Sequence, residues 1–141
     1  MKKILVAVDI EREGGNTGVM KTAKTISSAM SGSLALLHVM EPSPGYVISQ
    51  IPNAILEKRK SDAEQELREL AKQYGITDIV LREGAPATEI IEYANEIGAD
   101  LIILDSHDPD LSNYFIGSVA SRVVRHAHCS VHVVRRASKE A

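Results

Sequence analysis

Residues Pro86 to Leu104 read PATEIIEYANEIGADLIIL, and this stretch decides the fold. Pro86 sits where a helix can start, because a missing N–H is harmless in the first turn. Ile90, Ile91, Ala94 and Ile97 then recur at helical spacing, and Gly98 marks the stop. Two residues later LIIL (Leu101 to Leu104) is apolar without alternation. A strand that short and that apolar is covered on both faces, so it lies inside a parallel sheet rather than at the rim of an antiparallel one.

The same unit repeats outward along the chain. ILVAVD (Ile4 to Asp9) reads as a buried strand, followed by a helix capped near Asn16 or Thr17 and stopped at Gly32. LALLHVM (Leu34 to Met40) is a second buried strand with a Pro- and Gly-bearing loop after it. A long amphipathic helix runs from about Pro52 to Tyr74, with EKRK on its wet face. IVLREG (Ile79 to Gly84) is a more polar strand suited to a sheet edge. Tyr114 to about His126 reads as a helix and SVHVVR (Ser130 to Arg135) as the last strand. Strict alternation of strand and helix predicts an α/β fold: one domain over 1–141, a parallel sheet with helices on both faces and right-handed crossovers. Ligands in such sheets bind beyond the carboxyl ends of strands, where strand order reverses.

Composition narrows the function. The chain has 141 residues, 44% apolar and 25% charged, with a formal net charge of −3. Nothing here provides the clustered basic surface that nucleic acid requires. With one Phe, four Tyr and no Trp, platforms for stacking bases are not expected. Cys129 is the only cysteine, so an internal disulfide is impossible and a reducing, cytoplasmic setting is expected. Asp9 interrupts the apolar run after Met1-Lys2-Lys3, and no apolar stretch is long enough for a membrane span, so neither export nor a membrane is expected.

Three loops compete for a site, and LDSHDPDLSNYFIGS (Leu104 to Ser118) is the richest in chemistry. Asp105, His107, Asp108 and Asp110 are proper ligands for a divalent ion, yet they lack zinc spacing and the calcium-loop pattern. Asp108-Pro109-Asp110 also reads as a turn that caps the next helix. Ser106 and His107 are adjacent and point apart on an extended segment, so no catalytic pair is assigned. Cys129 reads as a small buried hydrophobe, and His126 and His128 complement a helix C-terminus. A glycine one turn inside a helix start costs about 1 kcal/mol against alanine. Gly117-Ser118 therefore serves either close packing on the sheet or the approach of an anion to backbone N–H groups. Asp9, at the end of the first strand, either meets a ribose or adenine donor or closes its own loop. A phosphate-accepting receiver domain also places acids such as Asp9, Glu11 and Glu13 there. It needs an acceptor Asp after its third strand and a Lys near the end of its fifth, where this chain has REG and VVRR.

KKILVAVD, LLHVME, EGAPATEIIEYANEIGADLIIL and GSVASRVVRHAHCSVHVVR are spread along the chain from residue 2 to residue 135, and in this order they resemble the universal stress protein family. The resemblance implies an open five-stranded parallel sheet, order 3-2-1-4-5, with two helices on each face. It implies a regulatory module in the stress response, in a family where many members bind ATP and others do not. Slow ATP hydrolysis or autophosphorylation is within the family's range, but no residue is assigned as catalytic. Nucleotide-binding members carry a glycine, two residues, a second glycine, nine residues, then Gly-Ser or Gly-Thr. By position, Asp9 matches the carboxylate facing adenine or ribose, Ala7 lines the adenine side and Val39 packs against the base. Leu104, Asp105, Ser106 and Asp108 fall on the glycine-bearing stretch, and Gly117, Ser118 and Val119 on the segment that holds phosphates. Asp105 and Asp108 replace the two glycines, and only eight residues, Pro109 to Ile116, precede Gly117. Carboxylates beside a phosphate oppose binding unless they face solvent or share a Mg²⁺ with it. The resemblance also implies a homodimer through the last strand, at Val131, Val133 and Val134. The alternative is a member that binds no nucleotide and acts through homodimerisation and protein partners.

Overall fold

The computed structural model describes residues 2–10, 16–42, 45, 49–106 and 117–135. Among them strands and helices alternate: β1 (Lys3–Ala7), α1 (Thr17–Met30), β2 (Ser33–Met40), α2 (Asn53–Gln73), β3 (Asp78–Glu83), α3 (Pro86–Ile97), β4 (Leu101–Asp105), α4 (Ser118–His126) and β5 (Ser130–Val134). The five strands form one parallel sheet in the order β3-β2-β1-β4-β5, so the expected topology stands.

Side-chain alternation along each strand feeds two cores. On one face Ile4, Val6, Leu36 and Ile103 meet Val19, Met20 and Ala23 of α1 and Leu67 and Ala71 of α2. On the other, Leu5, Ala7, Leu37, Ile102 and Leu104 meet Ala87, Ile90 and Ala94 of α3 and Ala120 and Val123 of α4. Two helices therefore cover each face. Ile102 and Ile103 are both fully buried because consecutive residues of β4 serve opposite cores, which is why LIIL shows no alternation.

Local signals were read correctly in α3. Pro86 opens it, Glu89 stands in its first turn where the helix dipole favours an acid, and Gly98 closes it in the left-handed region at φ 64°. Two other glycines play different parts from those expected. The residue that ends α1 in the left-handed region is Ser31, at φ 52°, not Gly32. Gly32 follows it where a Cβ would lie 2.8 Å from Ile4 Cδ1, so its role is close approach to β1. Gly117 is not inside a helix: it is the extended residue before α4, at φ −64° and ψ 163°, and bears no helix-interior penalty. The expected helical turn from Tyr114 lies outside the described residues.

Candidate functional site

β1 is flanked by β2 and β4, which carry the chain away in opposite directions across the sheet. The strands part beyond the pair Ala7 and Leu104, because the next amide, that of Val8, donates to Leu37 O on β2 at 2.9 Å. A crevice at that switch point is where a doubly wound sheet receives a ligand. Ala7 aligns with Leu37 on β2 and with Leu104 on β4, and Val39 lies two residues beyond Leu37. Ala7 and Leu104 belong to the core under α3 and α4, and Val39 from β2 and Val119 from α4 pack against it, so Ala7, Val39 and Leu104 share one face of the sheet. Asp9 follows β1 at the mouth and is exposed.

Beyond Leu104 come the end of β4 and the start of α4. Asp105 is the last residue of β4, half-buried and aligned with Val134. Ser106, buried, donates its N–H to Val134 O at 3.0 Å and accepts from the Gly117 N–H at 3.0 Å. That second bond sharpens the expected anion cradle. The Gly117 amide is engaged by Ser106, and its extended backbone turns the chain into α4. The N–H groups of the first helical turn, Ser118 and Val119 onward, have no partner within the helix and lie at its positive end. Ser118 is exposed, so its hydroxyl is accessible beside them. The start of α4, the core residues Ala7 and Val39, and the half-buried carboxylate of Asp105 at the end of β4 are thus the groups that these elements bring to the candidate site. Asp108, with His107 and Asp110, lies outside the described residues. Among the described residues no group of three or more His, Cys, Asp or Glu side chains could hold a metal ion.

Three residues at the carboxyl end of the sheet were not singled out for the tasks they perform. His38 is 2% exposed within an apolar strand, and its Nδ1–H donates to Val8 O at 3.0 Å. A buried polar residue in such a run demands a partner, and that is the signal the sequence offered. Asn16 was read as a helix cap, and it does precede α1, but its side chain caps nothing and binds the main chain of Asp9 instead. Arg82 aligns with Val39 and is held by α3: its Nε donates to Glu89 Oε1 and its Nη1 to Glu96 Oε2, both at 2.8 Å, with Tyr93 beneath at 5.5 Å. The Tyr93 phenol is pushed above its ordinary range by burial and then by the charges of Asp78 and Glu96.

The comparisons with known proteins agree with this fold. The model of the universal stress protein family matches residues 1–135. Universal stress protein MJ0531 of Methanocaldococcus jannaschii is 28% identical, across 99% of this chain and 85% of its own length. The solved structure of hypothetical protein MJ0577 superposes with a TM-score of 0.80 at 23% identity, covering 98% of both chains. A universal stress protein solved in complex with cAMP superposes at a TM-score of 0.60 and 24% identity, covering 95% of this chain and 96% of that one. No helix among the described residues is long and apolar enough to cross a membrane.

Proposed function

Because this chain belongs to the universal stress protein family, we propose that it is an adenine-nucleotide-binding regulatory module whose site is the crevice between β1 and β4. The observation that supports this reading is that Ala7, Val39, Leu104 and Val119 pack on one core, with Asp9 two residues beyond Ala7 after β1 and Ser118 one residue before Val119 at the start of α4. In this reading the base lies on Val39 and Ala7, and the Asp9 carboxylate accepts from a ribose hydroxyl or the adenine amino group. The phosphates meet the Ser118 and Val119 N–H groups and the Ser118 hydroxyl. These are backbone donors at a helix N-terminus, where both hydrogen bonding and the dipole favour an anion. Asp105 is a hard oxygen ligand suited to a Mg²⁺ that accompanies the phosphates. A relative that was solved with cAMP supports the adenine-nucleotide class.

Isothermal titration with Mg-ATP, and in parallel with cAMP, tests the reading. Saturable heat with either ligand supports it. No saturable binding at millimolar concentration of both overturns it.

A second reading is favoured by Asp105, a half-buried carboxylate at the end of β4 where nucleotide-binding relatives are expected to carry glycine. A carboxylate about 4 Å from a phosphate opposes it by roughly 4 kcal/mol per unit charge near a protein surface. In that reading the chain acts without nucleotide, as a homodimer joined through Val131, Val133 and Val134 of β5. Titration of the Asp105→Gly variant separates the two. Affinity that appears only in the variant favours the second reading, and affinity already present in the parent favours the first.

A further inference from the structure

β1 ends at Ala7, and the main chain of Val8 and Asp9 beyond it is held by three residues. Val8, the residue before Asp9, donates its N–H to Leu37 O at 2.9 Å. The Val8 carbonyl, which belongs to the peptide that Asp9 completes, accepts from buried His38 Nδ1 at 3.0 Å. Asn16 then takes Asp9 itself at both ends: the Asp9 N–H donates to Asn16 Oδ1 at 3.4 Å, and Asn16 Nδ2 donates to Asp9 O at 3.2 Å. A carboxamide matches a main-chain N–H and C=O as a reciprocal pair, one acceptor and one donor. Contact at both atoms fixes the orientation of the residue and therefore the direction of its Cα–Cβ bond.

Two further facts show that this contact outweighs the bland role for Asn16. The residue stands at the N-cap of α1, where asparagine is among the best side chains for capping, yet it makes no cap hydrogen bond. It is also 9% exposed, so its amide is withdrawn from water and committed to Asp9.

We propose that Asn16 is a positioning residue for nucleotide binding, acting through Asp9 rather than on the ligand. The inference rests on the nucleotide reading given above. It predicts that affinity depends on Asn16 only while Asp9 is present.

The test is a set of Mg-ATP titrations on the parent, Asp9→Ala, Asn16→Ser, Asn16→Ala and the double variant Asp9→Ala/Asn16→Ser, with melting temperatures for each. Asp9→Ala is expected to weaken binding about tenfold, as loss of a hydrogen bond to a charged group does. Asn16→Ser is expected to weaken it roughly three- to tenfold, and the double variant to bind no more weakly than Asp9→Ala alone. Serine caps a helix as well as asparagine but is too short to hold both Asp9 atoms. Compared with Asn16→Ala, it should therefore recover melting temperature without recovering affinity. A merely structural Asn16 would show the two recovering together, and that result overturns the inference. So do parental affinity in Asn16→Ser, fully additive losses in the double variant, or an Asp9→Ala variant that binds like the parent. In each of those cases nucleotide binding itself survives. A parent that binds no Mg-ATP overturns both readings.

Discussion

The thiol of Cys129 sits at the turn from α4 into β5, half-buried and free, among the partly buried groups packed on the second core. Burial pushes its pKa above the ordinary value of 9.0, and the Asp100 carboxylate adds to the effect. The folded chain thus favours the protonated thiol. Its contribution to stability is complete below about pH 9 and is lost as pH rises through the higher folded value. The rate of alkylation by iodoacetamide, which follows the thiolate, should rise with pH along a curve displaced upward from that of the chain in denaturant. The midpoint of the curve is the decisive quantity, because steric shielding lowers the rate without moving it. Coincident midpoints would refute the prediction. The sequence showed this residue as a small buried hydrophobe; it packs on the second core as that reading expects but is only half-buried. The reason it was legible is local: one cysteine between a helix end and an apolar strand has few other places to go. Asn16 was not legible in the same way, because the choice between capping its own helix and binding Asp9 depends on a loop geometry that composition does not encode.

Among the elements, the joint between β3 and α3 is the most exacting. Gly84 follows β3 at φ 147°, a conformation that strains any side chain, and a Cβ there would meet Glu89 Cγ at 2.9 Å and Oε2 at 3.0 Å. Its N–H donates to Met40 O at 3.0 Å and ties the joint to β2. Glu89 has nowhere to retreat without releasing Arg82, and its side chain is only 18% exposed. Gly84→Ala should therefore destabilise the protein by about 1–3 kcal/mol in denaturant unfolding. The mechanism makes a sharper prediction. If the new methyl displaces Glu89, then Glu89→Ala should cost less in the Gly84→Ala background than in the parent. Equal costs in the two backgrounds would refute it. The elements here were legible from sequence, since Gly84, Pro86 and Gly98 punctuate the chain in order. Their cross-connection was not. Glu89, Tyr93 and Glu96 recur at helical spacing and so share a face, but nothing in that spacing names Arg82 as the group they hold. Likewise Gly117 announced a special place in the chain, while only the backbone shows that its amide is engaged by Ser106 and that the N–H groups without a partner inside α4 begin at Ser118.

At the scale of the whole molecule the sheet has two unlike edges. β3 carries Asp78, Arg82 and Glu83, and its arginine is pinned by α3, which blunts that edge with charge. β5 offers Val131, Val133 and Val134, all only half-buried within one chain, with His132 exposed between them. Its inner side pairs with β4 from Ser130 to Val134, and among the described residues no strand pairs with its outer side. An apolar edge of that kind is a template for another strand unless something covers it. The simplest cover is a second copy, and a two-fold axis normal to the sheet makes two equal edge strands antiparallel in one continuous ten-stranded sheet, twice the five observed. Light scattering at micromolar concentration should then report twice the chain mass of 15.3 kDa. Hydrogen exchange adds a local reading of the same event: the outward amides of β5 should gain protection as concentration rises through the dimerisation constant, while those of β3 stay unchanged. A monomer at every concentration, or protection that grows at β3 instead, would show that the apolar edge is not where two copies meet. The distinction bears on the crevice as well. Asp105 aligns with Val134, and the Ser106 amide donates to the Val134 carbonyl, so a partner that orders β5 also steadies the end of β4 and, through the Ser106 bond to Gly117, the start of α4. Dimerisation and ligand affinity should therefore be linked, with dilution below the dimerisation constant weakening Mg-ATP binding if nucleotide is the ligand.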